Sequence, residues 1–454
     1  MIGGVRLRQW YADLLATFWL RPAAMTVLAI VAAQGLVWSE GAFELPDLMS
    51  RWVYSGGKDG ARDVLAAIAT ASIGVAGTTF SITVAALTLA SNQMGPRLLR
   101  NFTRDPGNQY ALGTFLATFA YALTALRTVR GLDGGNDFVP QLAVSGALLL
   151  AFACVGVLMW FLNHVASSIN VTHVVALVHD ELAAVVARLP FRTPDEADAP
   201  GPAPLPHAEV TFRDSAPLRT KEGGYLRALD DGRLAEWAAG CGAVVRLRVR
   251  PGDFVFPGST IGEVVPPAVC EAAHEALAGA LSLGRSRSVE QDLEFAVRQM
   301  VEIALRALSP SLNDPFTAIA VIDRFGAVLC DLEHRNLPNG CTARSEQVRV
   351  QRPATDYAGL ADAMFHMIRE SGVTSPPVMI RLLEVLAEVG AVEHDAGRRK
   401  VLRRHAELAA EAALNTITDR AAREDIAARR VLVLETLAAE VAAPGISSHH
   451  PRID

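Results

Sequence analysis

Two groups of side chains in this sequence have types and spacings suited to chemistry. Glu294, Glu302, Asn313, Asp314 and Thr317 bring carboxylates, an amide and a hydroxyl close together in the chain, as a site for a cation or polar substrate would. A plainer arrangement accounts for them too. Arg298 and Arg306 each follow a glutamate by four residues, the spacing of helical ion pairs, while Asn313 and Asp314 suit the turn between two helices. We favour the plainer arrangement, with Asn313, Asp314 and Thr317 forming a polar motif on the cytoplasmic side.

The second group is uncharged. At about 100° per residue, Thr70, Gly74, Gly77, Ser81 and Thr88 fall on one narrow stripe of a helix, with Ala85 among them. Ser72, Ala76, Thr79, Thr83 and Ala86 fall opposite. Small residues let helices approach closely, and hydroxyls with exposed backbone can also line an aqueous path for ions or small solutes. Two small-residue faces place this helix at the centre of a bundle or at a subunit interface.

Other chemistries lack their residues. There is no nucleotide-binding loop, nucleophile elbow, H-E-x-x-H or zinc spacing. His164, His173 and His179 have no carboxylate completing a metal set, so they are expected to be solvated or capping. The cysteines Cys154, Cys241, Cys270, Cys330 and Cys341 are scattered, as reduced cytoplasmic thiols would be. We therefore expect no enzyme, no metal and no cofactor. A formal charge of -6 without a basic block excludes a nucleic-acid partner.

The elements that carry these residues begin in the membrane. The hydrophobic fraction is 51%, and the excess lies before about residue 190. Pro22 to Trp38, Val64 to Ala90, Tyr110 to Leu126 and Pro140 to Leu162 meet the length needed to cross a bilayer. Essentially no charge lies inside them, which argues against a proton-coupled transporter with its ionisable relay. Arg6, Arg8 and Arg21 precede the first span, and Arg97, Arg100 and Arg104 follow the second on an amphipathic basic helix that would anchor on anionic headgroups. Glu40, Glu44, Asp47 and Asp59 crowd the intervening loop, so both termini are expected in the cytoplasm. Arg127 and Arg130 on the opposite side run against this rule.

The predicted fold is thus an α-helical membrane domain with four transmembrane helices, followed by a cytoplasmic α+β region with a small β-barrel-like subdomain and a helical C-terminal domain. The boundaries are a membrane domain with a helical stalk over 1–189, a Pro-rich linker over 190–207, a β-rich subdomain over 208–265 and a mainly helical domain over 266–454. The fourth span is expected to continue unbroken into the stalk. Val249 to Val264 resembles the hairpin of biotinyl and lipoyl barrel-sandwich domains, without a lysine placed to carry a cofactor. Ser288 with Gln291 reads as a capping box, and Asp314-Pro315 as the start of the next helix.

Three stretches also resemble a known family. Phe80-Ser-Ile-Thr-Val-Ala-Ala-Leu-Thr-Leu-Ala-Ser-Asn-Gln-Met-Gly-Pro-Arg-Leu-Leu-Arg-Asn-Phe, Thr114-Phe-Leu-Ala-Thr-Phe and Ala307-Leu-Ser-Pro-Ser-Leu-Asn-Asp-Pro-Phe-Thr-Ala are similar to the predicted bacterial membrane proteins grouped as domain of unknown function 2254. The resemblance covers nearly the whole chain and implies a bacterial inner-membrane location, with no activity or functional residues to carry over. The residues themselves favour a homo-oligomeric, channel-like protein in contact with the lipid bilayer. A membrane-anchored scaffold or sensor and a membrane-surface enzyme acting near Asp314 are the alternatives.

Overall fold

A backbone in hydrocarbon has no solvent partner for its N–H and C=O groups, so the uncharged stretches must form helices. The computed structural model describes residues 18–40, 54–94, 105–129, 138–168, 170–192, 212–345 and 347–439. Its first unit spans residues 1–173 and holds four long helices: α1 (Leu20–Ser39), α2 (Lys58–Met94), α3 (Pro106–Thr128) and α4 (Gln141–Ser168). Three of these, α1, α2 over Lys58–Leu89, and α4, are long and apolar enough to cross a membrane.

The helix expected as the third span is not one of them. α3 packs against α1, α2 and α4, and buries twelve residues where α1 buries only two. Asn108, Gln109, Thr118 and Tyr121 are among the twelve, and their polarity lowers the helix below lipid-facing apolarity because they meet protein instead. The centre of this bundle is therefore α3, and α2 lies beside it.

Long-range contacts set the directions of these helices. At one end the Tyr54 amide donates to Ser145 Oγ (2.8 Å), Arg62 Nη2 donates to the Val129 carbonyl (3.2 Å), and the Leu142 amide donates to Glu40. The end of α1, the start of α2, the end of α3 and the start of α4 therefore meet there. At the other end Asp105, which caps α3, pairs with His164 near the end of α4 at 2.5 Å. α3 runs antiparallel to both α2 and α4.

α4 stops at Ser168, and α5 (Val171–Ala187) starts afresh, its Thr172 amide donating to Asn170 Oδ1 (3.0 Å). The single unbroken stalk expected from the sequence is thus two helices, because Asn170 supplies a helix-starting acceptor in mid-run.

The second unit covers residues 174–454. Its strands are β1 (Ala216–Arg219), β2 (Gly224–Leu229), β3 (Val244–Leu247), β4 (Phe254–Val255), β5 (Thr260–Val265), β6 (Leu281–Gly284), β7 (Cys341–Arg344) and β8 (Gln347–Gln351). They form a five-stranded sheet in the order β1-β5-β3-β8-β7 and a three-stranded sheet in the order β4-β2-β6. Each sheet keeps two edges, so the expected β-barrel-like closure is absent among the described residues. β8 pairs parallel to β3 through Val245 and Val350, from a segment about a hundred residues downstream. Helices α6 (Asp231–Gly240) and α7 (Cys270–Ala280) pack beside the strands over a core that includes Leu226, Leu234, Ile261 and Leu277.

Six more helices follow: α8 (Leu293–Ala307), α9 (Pro315–Glu333), α10 (Tyr357–Gly372), α11 (Pro376–Val392), α12 (Ala396–Thr416) and α13 (Arg420–Ala438). The expected capping box does not form. Asp292 caps α8 by accepting from the Phe295 amide, while Ser288 donates to the Arg227 carbonyl and Gln291 bonds both backbone groups of Leu229. Those side chains satisfy backbone groups of β2, a demand that local spacing does not reveal.

Candidate functional site

α2 divides into two faces. Ser72, Ala76, Thr79 and Ala86 are buried against the bundle, whereas Thr70, Gly74, Gly77, Ser81 and Thr88 are all exposed. A Cβ added to Gly74 or Gly77 would meet nothing within 4 Å. The exposed stripe is flanked by larger apolar side chains: Ile73, Phe80 and Val84 on one side, Ile82 and Leu89 on the other. It is a strip of small residues between two lines of larger apolar ones.

Three hydroxyls on the exposed side of α2 bond internally. Ser81 Oγ donates to the Gly77 carbonyl and Thr88 Oγ1 to the Val84 carbonyl, both at 2.9 Å, and the adjacent Thr78 Oγ1 bonds Gly74 in the same way. Their donors are occupied within the helix, which leaves oxygen lone pairs along an uncharged surface. Such a face can accept a hydrogen bond or hold a partly dehydrated cation without any ionised group. The outward faces of α1 and α4 differ, carrying Val27, Leu28 and Val31, and Leu149, Phe152, Val155 and Met159, as lipid contact requires. Arg97, Arg100 and Arg104 lie outside the described residues.

The polar motif takes the plainer arrangement. The Asn313 backbone is left-handed (φ 46°), and Asp314 caps α9. The Asp314 carboxylate accepts from the amides of Phe316 (3.1 Å) and Thr317 (3.2 Å) and from Thr317 Oγ1 (2.6 Å). Glu294 is occupied elsewhere, by Arg250 at 2.7 Å, Arg298 at 3.0 Å and Thr355 at 3.0 Å. Glu294 and Asp314 stand at opposite ends of α8, about 20 Å apart along its axis. The structure brings Asp314 and Thr317 together and leaves Glu294 outside. The turn also exposes Leu312 and Phe316.

One cluster escaped the sequence reading. Asp362 and His366, one turn apart on α10, meet His405 of α12. Asp362 Oδ1 lies 3.0 Å from His405 Nε2 and 3.1 Å from His366 Nε2, and Arg404 also reaches it. Burial, with the Arg404 guanidinium beside it, pushes His405 down to about 4, so its ring is neutral at neutral pH. Asp362 and His366 at helical spacing were a visible signal; the third member stands 39 residues on. The Asp105–His164 pair also escaped, because its partners come from different helices.

Comparison with known proteins follows the same outline. Proteins described as uncharacterized in Mycobacterium tuberculosis (strain CDC 1551 / Oshkosh) and Mycobacterium bovis are each 33% identical over 418 residues, covering 90% of this chain and 79% of theirs. No solved structure matches. The family model described as "Predicted membrane protein (DUF2254)" matches residues 16–388, and with three membrane-length apolar helices inside that range, the chain belongs to this family of predicted membrane proteins.

Proposed function

We propose that this protein is a homo-oligomeric, channel-like component of the bacterial inner membrane that passes ions or small solutes along the exposed stripe of α2. The carrying observation is that stripe itself. Thr70, Gly74, Gly77, Ser81 and Thr88 turn away from their own bundle, on a helix apolar enough to cross the bilayer. Gly, Ser and Thr gain little from lipid contact, whereas a second copy can approach them closely, and a ring of copies can enclose water against them.

In this reading α3 is a fourth crossing. Its 23 residues run about 35 Å, antiparallel to two membrane-length neighbours, and its polar residues are hidden from lipid by the helices around it. Four antiparallel crossings would return the chain to its starting side, and Arg6, Arg8 and Arg21 ahead of the first crossing support the cytoplasm as that side. The second unit then assembles or gates the pore from that side.

Purified protein in liposomes provides the test. Flux of a small monovalent ion or uncharged solute above that of empty vesicles is expected under some combination of voltage, tension and pH. Persistent silence under all of them overturns conduction.

A second reading, a membrane-anchored scaffold, draws on exposed apolar side chains of the second unit. Phe254 and Phe256 stack edge to face at 5.2 Å while about half or more exposed, and Leu312 and Phe316 project from the α8–α9 turn. That reading expects silent liposomes together with retention of a soluble partner by the second unit.

A further inference from the structure

We propose that Asp362, His366 and His405 form a binding site for a divalent transition-metal ion of the zinc class. The donor set is chemically suitable, with two imidazole nitrogens and one carboxylate oxygen, and three protein ligands leave further positions open. An ion held by bonds of about 2.0–2.1 Å requires ligand atoms about 3.3 Å apart in a tetrahedral shell and about 2.9 Å apart at right angles. Two edges here measure 3.0 and 3.1 Å, and all three ligand atoms lie within 4.8 Å of one another. The remaining gap closes by a rotation of His366, whose side chain is 39% exposed.

Hydrogen bonding alone accounts poorly for this cluster. Arg404, His405 and His366 all converge on one oxygen, Asp362 Oδ1, and His366 Nε2, shielded from solvent, lies 3.1 Å from that oxygen without the alignment of a hydrogen bond. A buried polar atom in that position costs free energy, and a cation that takes a lone pair from each ligand removes the deficit. His405 is held in place for the role. It is 2% exposed, and its ring meets Phe365 edge to face at 5.5 Å. Arg404 Nη2 reaches both Asp362 Oδ1 and His405 Nε2 (3.4 Å), between two of the ligand atoms, but its side chain is 46% exposed and can swing into water. It is a competitor, so removing it should favour the ion.

Because the ligands come from α10 and α12, occupancy would clamp two helices of the second unit. The site stands independently of conduction, since it belongs to a different unit from the α2 stripe.

The test uses full-length protein without a polyhistidine tag, stripped with chelator and titrated with Zn²⁺ by calorimetry, with Co²⁺ absorption as a report of ligand geometry. One equivalent per chain is expected, with a raised Tm. His366→Ala and Asp362→Asn, at partly exposed positions, should each weaken binding at least tenfold while the metal-free Tm stays near that of the parent. Arg404→Ala should tighten it about fivefold, the factor of one exposed ion pair. Absence of stoichiometric binding by the parent protein overturns the proposal, as does binding that His366→Ala and Asp362→Asn leave unchanged.

Discussion

Gly77→Leu separates the chain's own folding from its assembly, because the structure predicts opposite signs for the two. Within one chain the new side chain enters open space, since a Cβ at Gly77 meets nothing within 4 Å. Replacing glycine in a helix interior removes a propensity penalty of about 0.8–1 kcal/mol, so the Tm of the single chain should hold or rise. In the proposed assembly the same side chain would stand where the backbones of two copies approach. Overfilling a close-packed contact costs about 1–3 kcal/mol, which weakens each subunit contact by about 5- to 150-fold. Light scattering or native mass spectrometry in detergent should therefore show smaller species, with the single-chain Tm undiminished. Thr79→Leu provides the contrast: Thr79 is 1% exposed against the bundle, so its enlargement should lower Tm directly. An oligomer unaffected by Gly77→Leu refutes a close contact between copies at this glycine, and a Tm that collapses with it refutes the outward assignment of this face.

Other predictions concern the second unit. Arg399, 9% exposed, donates to carbonyls at the ends of two helices, Gly390 (2.6 Å) and Glu393 (2.9 Å) at the end of α11, and Thr436 (2.6 Å) and Ala439 (2.8 Å) at the end of α13. Arg399→Met strands these acceptors and should cost about 3–5 kcal/mol in denaturant unfolding; a cost below 1 kcal/mol would contradict that role. At Asp395, burial pushes the carboxyl up, but the Arg398 amide and the Arg192 guanidinium outweigh it and hold the group below its usual 3.8. Its stabilisation is present above that value and lost as pH falls through the lowered one, so the stability gap between the parent and Asp395→Asn should shrink in acid unfolding curves. A gap that widens on acidification would reverse the sign. Asp314→Ala should cost about 0.5–2 kcal/mol as a lost helix cap, and Asp314→Ser should recover most of it; equal losses in both variants would argue for a role beyond capping.

Local features of this fold were legible in the sequence where one helix or turn decides them. The apolar runs became long helices, Asp314-Pro315 began α9 as its residue types require, and the two small-residue faces of α2 were visible from spacing alone. Spacing could not say which face turns inward, because Ser72 and Thr79 differ little in chemistry from Thr70 and Ser81. Neighbours decide that, and they come from α3 and α4. The same limit explains Gln291, whose amide serves Leu229 across the fold in place of a helix start. It also explains β8, whose parallel pairing with β3 closes a loop of about a hundred residues, and His405, which joins Asp362 only because α12 packs on α10.

In the proposed channel the α2 stripe meets water inside an assembly. Thiol chemistry at Ser81 tests it most directly. In a background with Cys154, Cys241, Cys270, Cys330 and Cys341 replaced, Ser81→Cys in liposomes should react with a charged, membrane-impermeant methanethiosulfonate, and the reaction should block flux. Thr79→Cys on the buried face should stay unmodified. If Ser81→Cys resists the charged reagent and reacts only with an apolar maleimide, the stripe faces lipid and no water path runs along it.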